Sequence, residues 1–344
     1  MDRLSELKEY ALLHARNQGM TARHAARILA RIHNDDPGDQ ASWARVWSAE
    51  ADALAARGRL LDACRCYALA RFPYPGDDPR IRAQHAGVTA FDTWRRARRR
   101  GIERLELAHP QGRLACWTTG LRPGGRRPLL VMTGGIVSVK EQWAPLLPKL
   151  SRLGYAAVVT EMPGVGENTL PYTADSWRLL PWLLDELSDR ARTTDATLLC
   201  LSFSGHMALR TAVEDRRVGR VLTVGAPVAH FFTDDDWWDR VPGITVTTLC
   251  RLTGAADPAE LRSLLKEFPL EAEQLGGVRA AVRYVASARD EIIPPREQAL
   301  LQAALPDIRV KTFDDVHGSP DHAGALRRWL VLNLLRSARG RAAG

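Results

Sequence analysis

Thr197-Leu-Leu-Cys-Leu-Ser202-Phe-Ser-Gly-His-Met-Ala-Leu-Arg210 is the stretch on which the rest of the chain turns. An apolar run passes directly into a serine and then into a helix-type pattern. This predicts a strand, a tight turn at Ser202, and a helix. A serine used as a nucleophile must sit on such a strained turn, exposed above a sheet. The residues two before and two after it must be small, because the turn brings them together. Here they are Cys200 and Ser204, so the pattern is small-x-Ser-x-small. Centring on Ser202 also puts Gly205 where helix and strand pack closely. Ser204 is the rival nucleophile, but its plus-two neighbour is His206, bulky for the turn. The structural alternative is a serine N-cap on an ordinary βα loop.

Working outward, short β-type runs alternate with amphipathic helices from residue 102 onward. Runs at 103–108 and 113–118 flank Pro110-Gln-Gly112 as a hairpin. Further strands are predicted at 128–133, 155–160, 196–201, 218–224, 282–286 and 308–313, with helices at 141–152, 176–190 and 322–336. Strands alternating with helices predict an α/β chain whose mostly parallel sheet is covered on both faces. Residues 228–277 break the rhythm with Asp234-Asp-Asp-Trp-Trp238 and two helical segments, and read as an insertion. The first hundred residues carry apolar residues at three- and four-residue spacing. They predict helices at 3–18, 21–32, 42–57, 60–70 and 81–100. The expected organisation is a helical domain at 1–101 and a core at 102–344.

The 344 residues are 45% hydrophobic and 26% charged, ordinary for a globular chain and unlike a disordered one. No stretch approaches the ~20 apolar residues of a membrane helix. The opening MDRLSELKEYALLHARNQGM lacks a secretory signal pattern. Five scattered cysteines (Cys64, Cys66, Cys116, Cys200, Cys250) predict reduced thiols and a cytoplasmic protein. The net charge of +8 raises the question of nucleic acid. Its densest cluster, Arg95, Arg96, Arg98, Arg99 and Arg100, closes a helix-type segment, where cations are favoured. No stacking aromatics or zinc spacing accompany it, so neither nucleic acid nor a membrane is an expected partner.

A serine hydroxyl is a weak nucleophile until an oriented base takes its proton. After the strand at 282–286 comes Arg289-Asp290-Glu291-Ile-Ile-Pro-Pro295; after the last strand comes Asp314-Asp-Val-His317-Gly. Serine, acid and histidine each follow a strand, in the chain order of the α/β-hydrolases. Asp290 is the candidate acid and His317 the candidate base. Glu291 is an alternative acid whose neighbours turn it the other way; Asp314 and Asp315 read as turn residues and His322 as a surface or capping one. Gly134-Gly135-Ile136 after the strand at 128–133 supplies candidate oxyanion amides at Gly135 or Ile136, with Phe203 as the second donor. Glu161-Met-Pro-Gly-Val-Gly-Glu167 lacks the third glycine of a dinucleotide fingerprint and reads as a shaped turn. With no Walker loop and no His-Glu-x-x-His helix, no cofactor or metal is expected; Asp234–Asp236 read better as a helix start than as a cation site.

These segments resemble serine α/β-hydrolases with an N-terminal all-helical cap. That group includes dihydroxypseudooxynicotine hydrolase, the fungal pigment hydrolases that shorten polyketides, and fermentation-switch-type esterases. The matching pieces are Trp43-Ala-Arg-Val-Trp47, Met132-Thr-Gly-Gly-Ile136, Lys140-Glu-Gln-Trp143, the loop 161–167, the turn at Ser202, the segment 289–295 and His317-Gly318. They span about residues 40 to 330. The resemblance implies an α/β-hydrolase fold with a Ser202, Asp290, His317 triad under a helical cap. Two departures are Cys200 and Ser204 for the usual glycines, and Glu161 for the usual Asp of the Pro-Gly loop.

The resemblance further implies an acyl-enzyme formed at Ser202, acting on a C–C bond of 1,3-dicarbonyl type or on an ester. The substrate expected is an aromatic or polyketide-like small molecule. Trp237, Trp238 and His230 of the insertion are candidate substrate-binding residues, although aromatic residues there serve equally as core. The alternatives are a carboxylesterase or thioesterase, including release or cyclisation of a chain held on an acyl-carrier protein, whose acidic surface would suit the positive charge. A non-catalytic partner-binding relative is the third reading, and a homodimer through the helical domain is a candidate assembly.

Overall fold

Alanine, leucine and tryptophan at helical spacing build the N-terminal unit of this computed structural model, which describes residues 2–97 and 101–340. Contacts divide the chain into Met1–Ile102 and Glu103–Gly344. The first unit holds α1 (Arg3–Asn17), α2 (Ala22–Leu29), α3 (Trp43–Ala56), α4 (Leu60–Ala70) and α5 (Asp78–Ala97). Asp2 caps α1 by accepting the amides of Leu4 and Ser5 at 3.0 Å. Trp43, Trp47, Ala51 and Leu54 form the buried face of α3, and the Trp43 indole donates to the Leu69 carbonyl at 2.8 Å. The fifth helix starts earlier than its apolar pattern predicts. Asp77 accepts the Arg80 amide at 2.9 Å and Pro79 fits the first turn, so polar residues extend the helix backward. Within the predicted arginine cluster, Arg95 and Arg96 pair with Asp92; residues 98–100 lie outside the described residues.

The second unit is built on eight strands: β1 (Glu103–His109), β2 (Gly112–Thr119), β3 (Pro128–Thr133), β4 (Ala156–Thr160), β5 (Arg192–Leu201), β6 (Val218–Val224), β7 (Ala281–Ser287) and β8 (Ile308–Phe313). Their order is β1-β2-β4-β3-β5-β6-β7-β8. The β1–β2 and β2–β4 pairs are antiparallel and the rest parallel. Leu129–Met132 and Ala156–Val159 are buried on both faces, as the continuous apolar runs of a covered parallel sheet require. The registers Thr133↔Cys200 and Leu201↔Val224 bring three strand ends level. Loops leaving those ends therefore meet on one rim.

The helices are α6 (Leu147–Arg152), α7 (Leu179–Glu186), α8 (Phe203–Glu214), α9 (His230–Thr233), α10 (Asp235–Trp238), α11 (Gly243–Thr253), α12 (Pro258–Leu265), α13 (Ala272–Gly276), α14 (Arg296–Ala304) and α15 (Ala323–Gly340). The helix predicted at 141–152 is α-helical only in its last half. Pro145 and Pro148 withhold amides and leave short 3-10 turns at Lys140–Gln142 and Ala144–Leu146. The segment between β6 and β7 holds five short helices where two are expected. Asp234 caps α10 by accepting the Trp237 amide at 3.1 Å, and Asp235 pairs with Arg262. Helix α14, which the sequence reading lacks, supplies the crossover between parallel β7 and β8. No described helix is long and apolar enough to cross a membrane, and all five cysteines are free thiols.

Candidate active site

Strand β5 ends at Leu201, and the next residue turns the chain sharply. Ser202 has φ 57° and ψ −129°, conformation that an L-residue adopts only when its surroundings enforce it. The Ser202 amide donates to the Val224 carbonyl at 2.8 Å, and the Ser202 carbonyl accepts from Gly205 at 2.7 Å. A Cβ on Gly205 would stand 2.0 Å from Thr223 Oγ1 and 2.6 Å from the Ala226 Cβ, so only glycine lets α8 approach β6. Ser204 is buried, and its hydroxyl donates to the carbonyls of Thr133 and Leu201, each at 3.0 Å. That donor is committed to the base of the turn, which sets Ser204 apart from the exposed hydroxyl a nucleophile needs.

His317 arrives from the loop after β8. Its Nε2 lies 3.0 Å from Ser202 Oγ, and its Nδ1 lies 2.9 Å and 3.0 Å from the two carboxylate oxygens of Asp290. With Nδ1 donating to Asp290, Nε2 is left to accept from the serine hydroxyl. Asp290 is held in turn by the amides of Ile292 and Ile293, at 3.0 and 2.8 Å. Burial alone would pull the imidazole down. The charge and hydrogen bond of Asp290, with the charge of Glu291, outweigh it and hold His317 above its ordinary value. Gly225, which the sequence reading passed over, makes room for the ring: a Cβ there would sit 2.7 Å from His317 Cε1. A glycine directly after a central strand was the available signal.

The alternatives at both loops have other work. Asp314 pairs with Arg289 at the surface. Asp315 is buried; it accepts the amides of Val316, Asp321 and His322 and faces His322 Nδ1 at 2.9 Å. Glu291 accepts the backbone amide of His317 at 3.0 Å.

On the other side of Ser202, Gly135 follows β3. A Cβ on Gly135 would be 3.1 Å from the Ser202 Cβ and 3.5 Å from its Oγ, so this backbone abuts the serine. Ile136 is buried beside it. Phe203 opens α8, where first-turn amides have no intrahelical acceptor. The loop closes through the Ser138 amide on the Gly135 carbonyl at 3.0 Å and then enters a buried ionic cluster. Lys140 Nζ is 3.0 Å from Glu141, 3.3 Å from Glu161 and 2.6 Å from Glu167. The Glu161 carboxylate also accepts the amides of Lys140 and Glu167, at 3.1 and 2.9 Å. The 161–167 loop is thus a clamp on the far end of the 134–140 loop. Burial holds Glu161 up at about 7 against the pull of Lys140, whereas for Glu167 the Arg104 and Lys140 cations overcome burial and take it down to about 2. Nothing in the spacing of Lys140 and Glu161 announced this pairing.

Of the insertion residues, Trp237 donates its indole N–H to the Ile292 carbonyl at 2.8 Å, and Trp238 packs edge-on to Phe231 with Arg262 over its ring. His230 is half-buried at the start of α9. His206 is a core histidine: burial pushes it down to about 4, and its Nε2 lies 2.8 Å from the Phe268 carbonyl. Glu297 was also missed. It is fully buried on α14 and accepts the amides of Val228, Ala229 and Phe231, at 2.9, 3.0 and 2.8 Å.

A strained serine turn at the carboxyl end of a central parallel strand, met by an acid and an imidazole from later strands, is α/β-hydrolase architecture, and the chain is an enzyme of that class. The model of the family described as Esterase FrsA-like matches residues 39–313, and the chain belongs to this family. It is similar to the solved structure of AbyA5 (wild type), with 48% identity over 99% of this chain and 97% of that one and a TM-score of 0.94. It also shares its fold with 2,6-dihydroxy-pseudo-oxynicotine hydrolase, at 18% identity, 95% and 93% coverage, and a TM-score of 0.73. No curated protein matches the sequence.

Proposed function

We propose that this hydrolase cleaves an ester-type acyl bond of a small molecule through an acyl-enzyme on Ser202. The observation that carries the reading is the 3.0 Å approach of His317 Nε2 to Ser202 Oγ, with Nδ1 on Asp290 at 2.9 Å. Ser202 Oγ attacks the carbonyl carbon as His317 takes its proton, and Asp290 orients the ring and stabilises the imidazolium. The amides of Phe203 and of Gly135 or Ile136 hold the oxyanion. His317 then protonates the leaving group, and water resolves the acyl-enzyme by the same route in reverse. Residues 1–101 have the role of the family's cap domain. Free cysteines suit a cytoplasmic enzyme.

Intact mass after fluorophosphonate treatment, on wild type and Ser202→Ala, tests the assignment. One adduct on the wild type, absent from the variant, is the expected result; labelling that persists in Ser202→Ala overturns it. A screen of simple esters, acyl-thioesters and β-diketones then separates ester cleavage from C–C cleavage of a 1,3-dicarbonyl. A carrier-bound acyl chain is tested as the thioester.

A further inference from the structure

We propose that Glu291 is a positioning residue for His317 in two respects: its carboxylate holds the backbone of the base and sets a negative charge beside it, while Asp290 holds the ring from the other side. The inference rests on the role given to His317 above. Asp290 and Glu291 are consecutive, and their carboxylates divide the task. The amides of Ile292 and Ile293 turn the Asp290 carboxylate inward to His317 Nδ1. The Glu291 carboxylate takes the His317 amide at 3.0 Å.

The loop that carries His317 has little regular structure to hold it. Gly318 has φ 78° and Ser319 φ 51°, so the chain reverses directly after the histidine. Asp315 secures Val316 ahead of it and Asp321 and His322 beyond it, and the Ser287 and Ser319 hydroxyls meet at 2.9 Å. The tie on the amide of His317 itself comes from Glu291. A carboxylate acceptor makes that bond charge-assisted, roughly twice as strong as a neutral one. The same charge faces an imidazole that must become imidazolium when Ser202 is deprotonated, and favours that form.

Asp290 and Glu291 approach His317 from the loop after β7, and Asp315 and His322 from its own loop. Arg289 is engaged with Asp314, and the Tyr284 phenol donates to the Ala226 carbonyl. Ser202 faces it from the nucleophile turn. Glu291 is therefore the carboxylate whose removal alters the charge at the base while leaving the Asp290–His317 pair in place.

Two variants separate anchoring from charge. Glu291→Gln keeps an oxygen acceptor for the amide and removes the charge; Glu291→Ala removes both. Two measurements are made on the full chain: titration of His317 by histidine-selective NMR, assigned with His317→Ala, and the pH dependence of fluorophosphonate inactivation. In Glu291→Gln, His317 titrates lower, on the order of half a pH unit, and the acid limb of inactivation moves with it. Glu291→Ala shows the same displacement and in addition loses about tenfold in the maximal inactivation rate, with little change in probe affinity. A His317 titration in Glu291→Gln that coincides with wild type overturns the proposal. So does a Glu291→Ala protein that is labelled at the wild-type rate. Should Glu291→Ala fail to fold, Glu291→Gln decides. A wild type that takes no label sinks the reading of the site instead, and the NMR titration still tests Glu291.

Discussion

Ser202 and Gly225 show how single residues set the geometry of this site. The serine is held at positive φ by hydrogen bonds from both of its backbone groups, one to β6 and one within the turn. Glycine at 225 has φ 59°, and the space its missing side chain leaves is filled by the imidazole of His317. An added methyl group must displace that ring. We expect Gly225→Ala to slow fluorophosphonate labelling about a hundredfold, since a displacement near 1 Å of the proposed base costs that much. Circular dichroism should show an intact fold. Labelling at the wild-type rate would mean the ring can relax without leaving Ser202. The serine and histidine were legible from their neighbours in sequence. Gly225 was not, because its role depends on a histidine 92 positions later in the chain, brought over it by the loop after β8.

At the scale of elements, the loops at the sheet rim are held by buried charge. The 134–140 loop begins at Thr133, whose carbonyl accepts the Ser204 hydroxyl, and ends at Lys140, whose amide is held by Glu161. Burial holds the Glu161 carboxyl up at about 7, above its ordinary 4.5, so the folded chain binds that proton more tightly than the unfolded one. The contribution of this group is then fully present below the ordinary value and is lost as pH rises through about 7. Glu161→Gln, a standing mimic of the protonated acid, should therefore gain on wild type by roughly 1–3 kcal/mol between pH 5 and pH 8. Urea unfolding at the two pH values measures it; a constant difference would show that Lys140 keeps Glu161 ionised throughout. The prolines that shorten α6 were visible in the sequence, and their effect on the helix was not, because propensity alone leaves the boundary open.

At the scale of the whole molecule, the second unit holds the start of its insertion on a buried carboxylate. Glu297 leaves α14 to accept three backbone amides at and before the start of α9, and the Trp237 indole ties α10 to the loop that holds Asp290. Removing the carboxylate strands buried donors. Glu297→Ala should lower unfolding stability by about 3–5 kcal/mol, with Glu297→Gln between it and wild type. Denaturant unfolding of the full chain reads this directly, and a loss below 1 kcal/mol in Glu297→Ala would show that water replaces the carboxylate.

Local pattern determined the class of fold, the strand before Ser202, and the order in which Ser202, Asp290 and His317 arrive. Each of these is carried by residues adjacent in the chain: apolar runs, turn formers and small neighbours around Ser202. The resemblance carried by short motifs anticipated the family. Tertiary structure alone decided what Glu291, Glu161, Lys140, Gly225 and Glu297 do. Lys140 and Glu161 also have near neighbours as partners, but the contacts that fix these roles reach 21 positions from Lys140 to Glu161, 26 from Glu291 to His317, 69 from Glu297 to Val228 and 92 from Gly225 to His317. A charge or an empty space acquires its meaning only when folding brings such a partner within hydrogen-bonding or van der Waals reach.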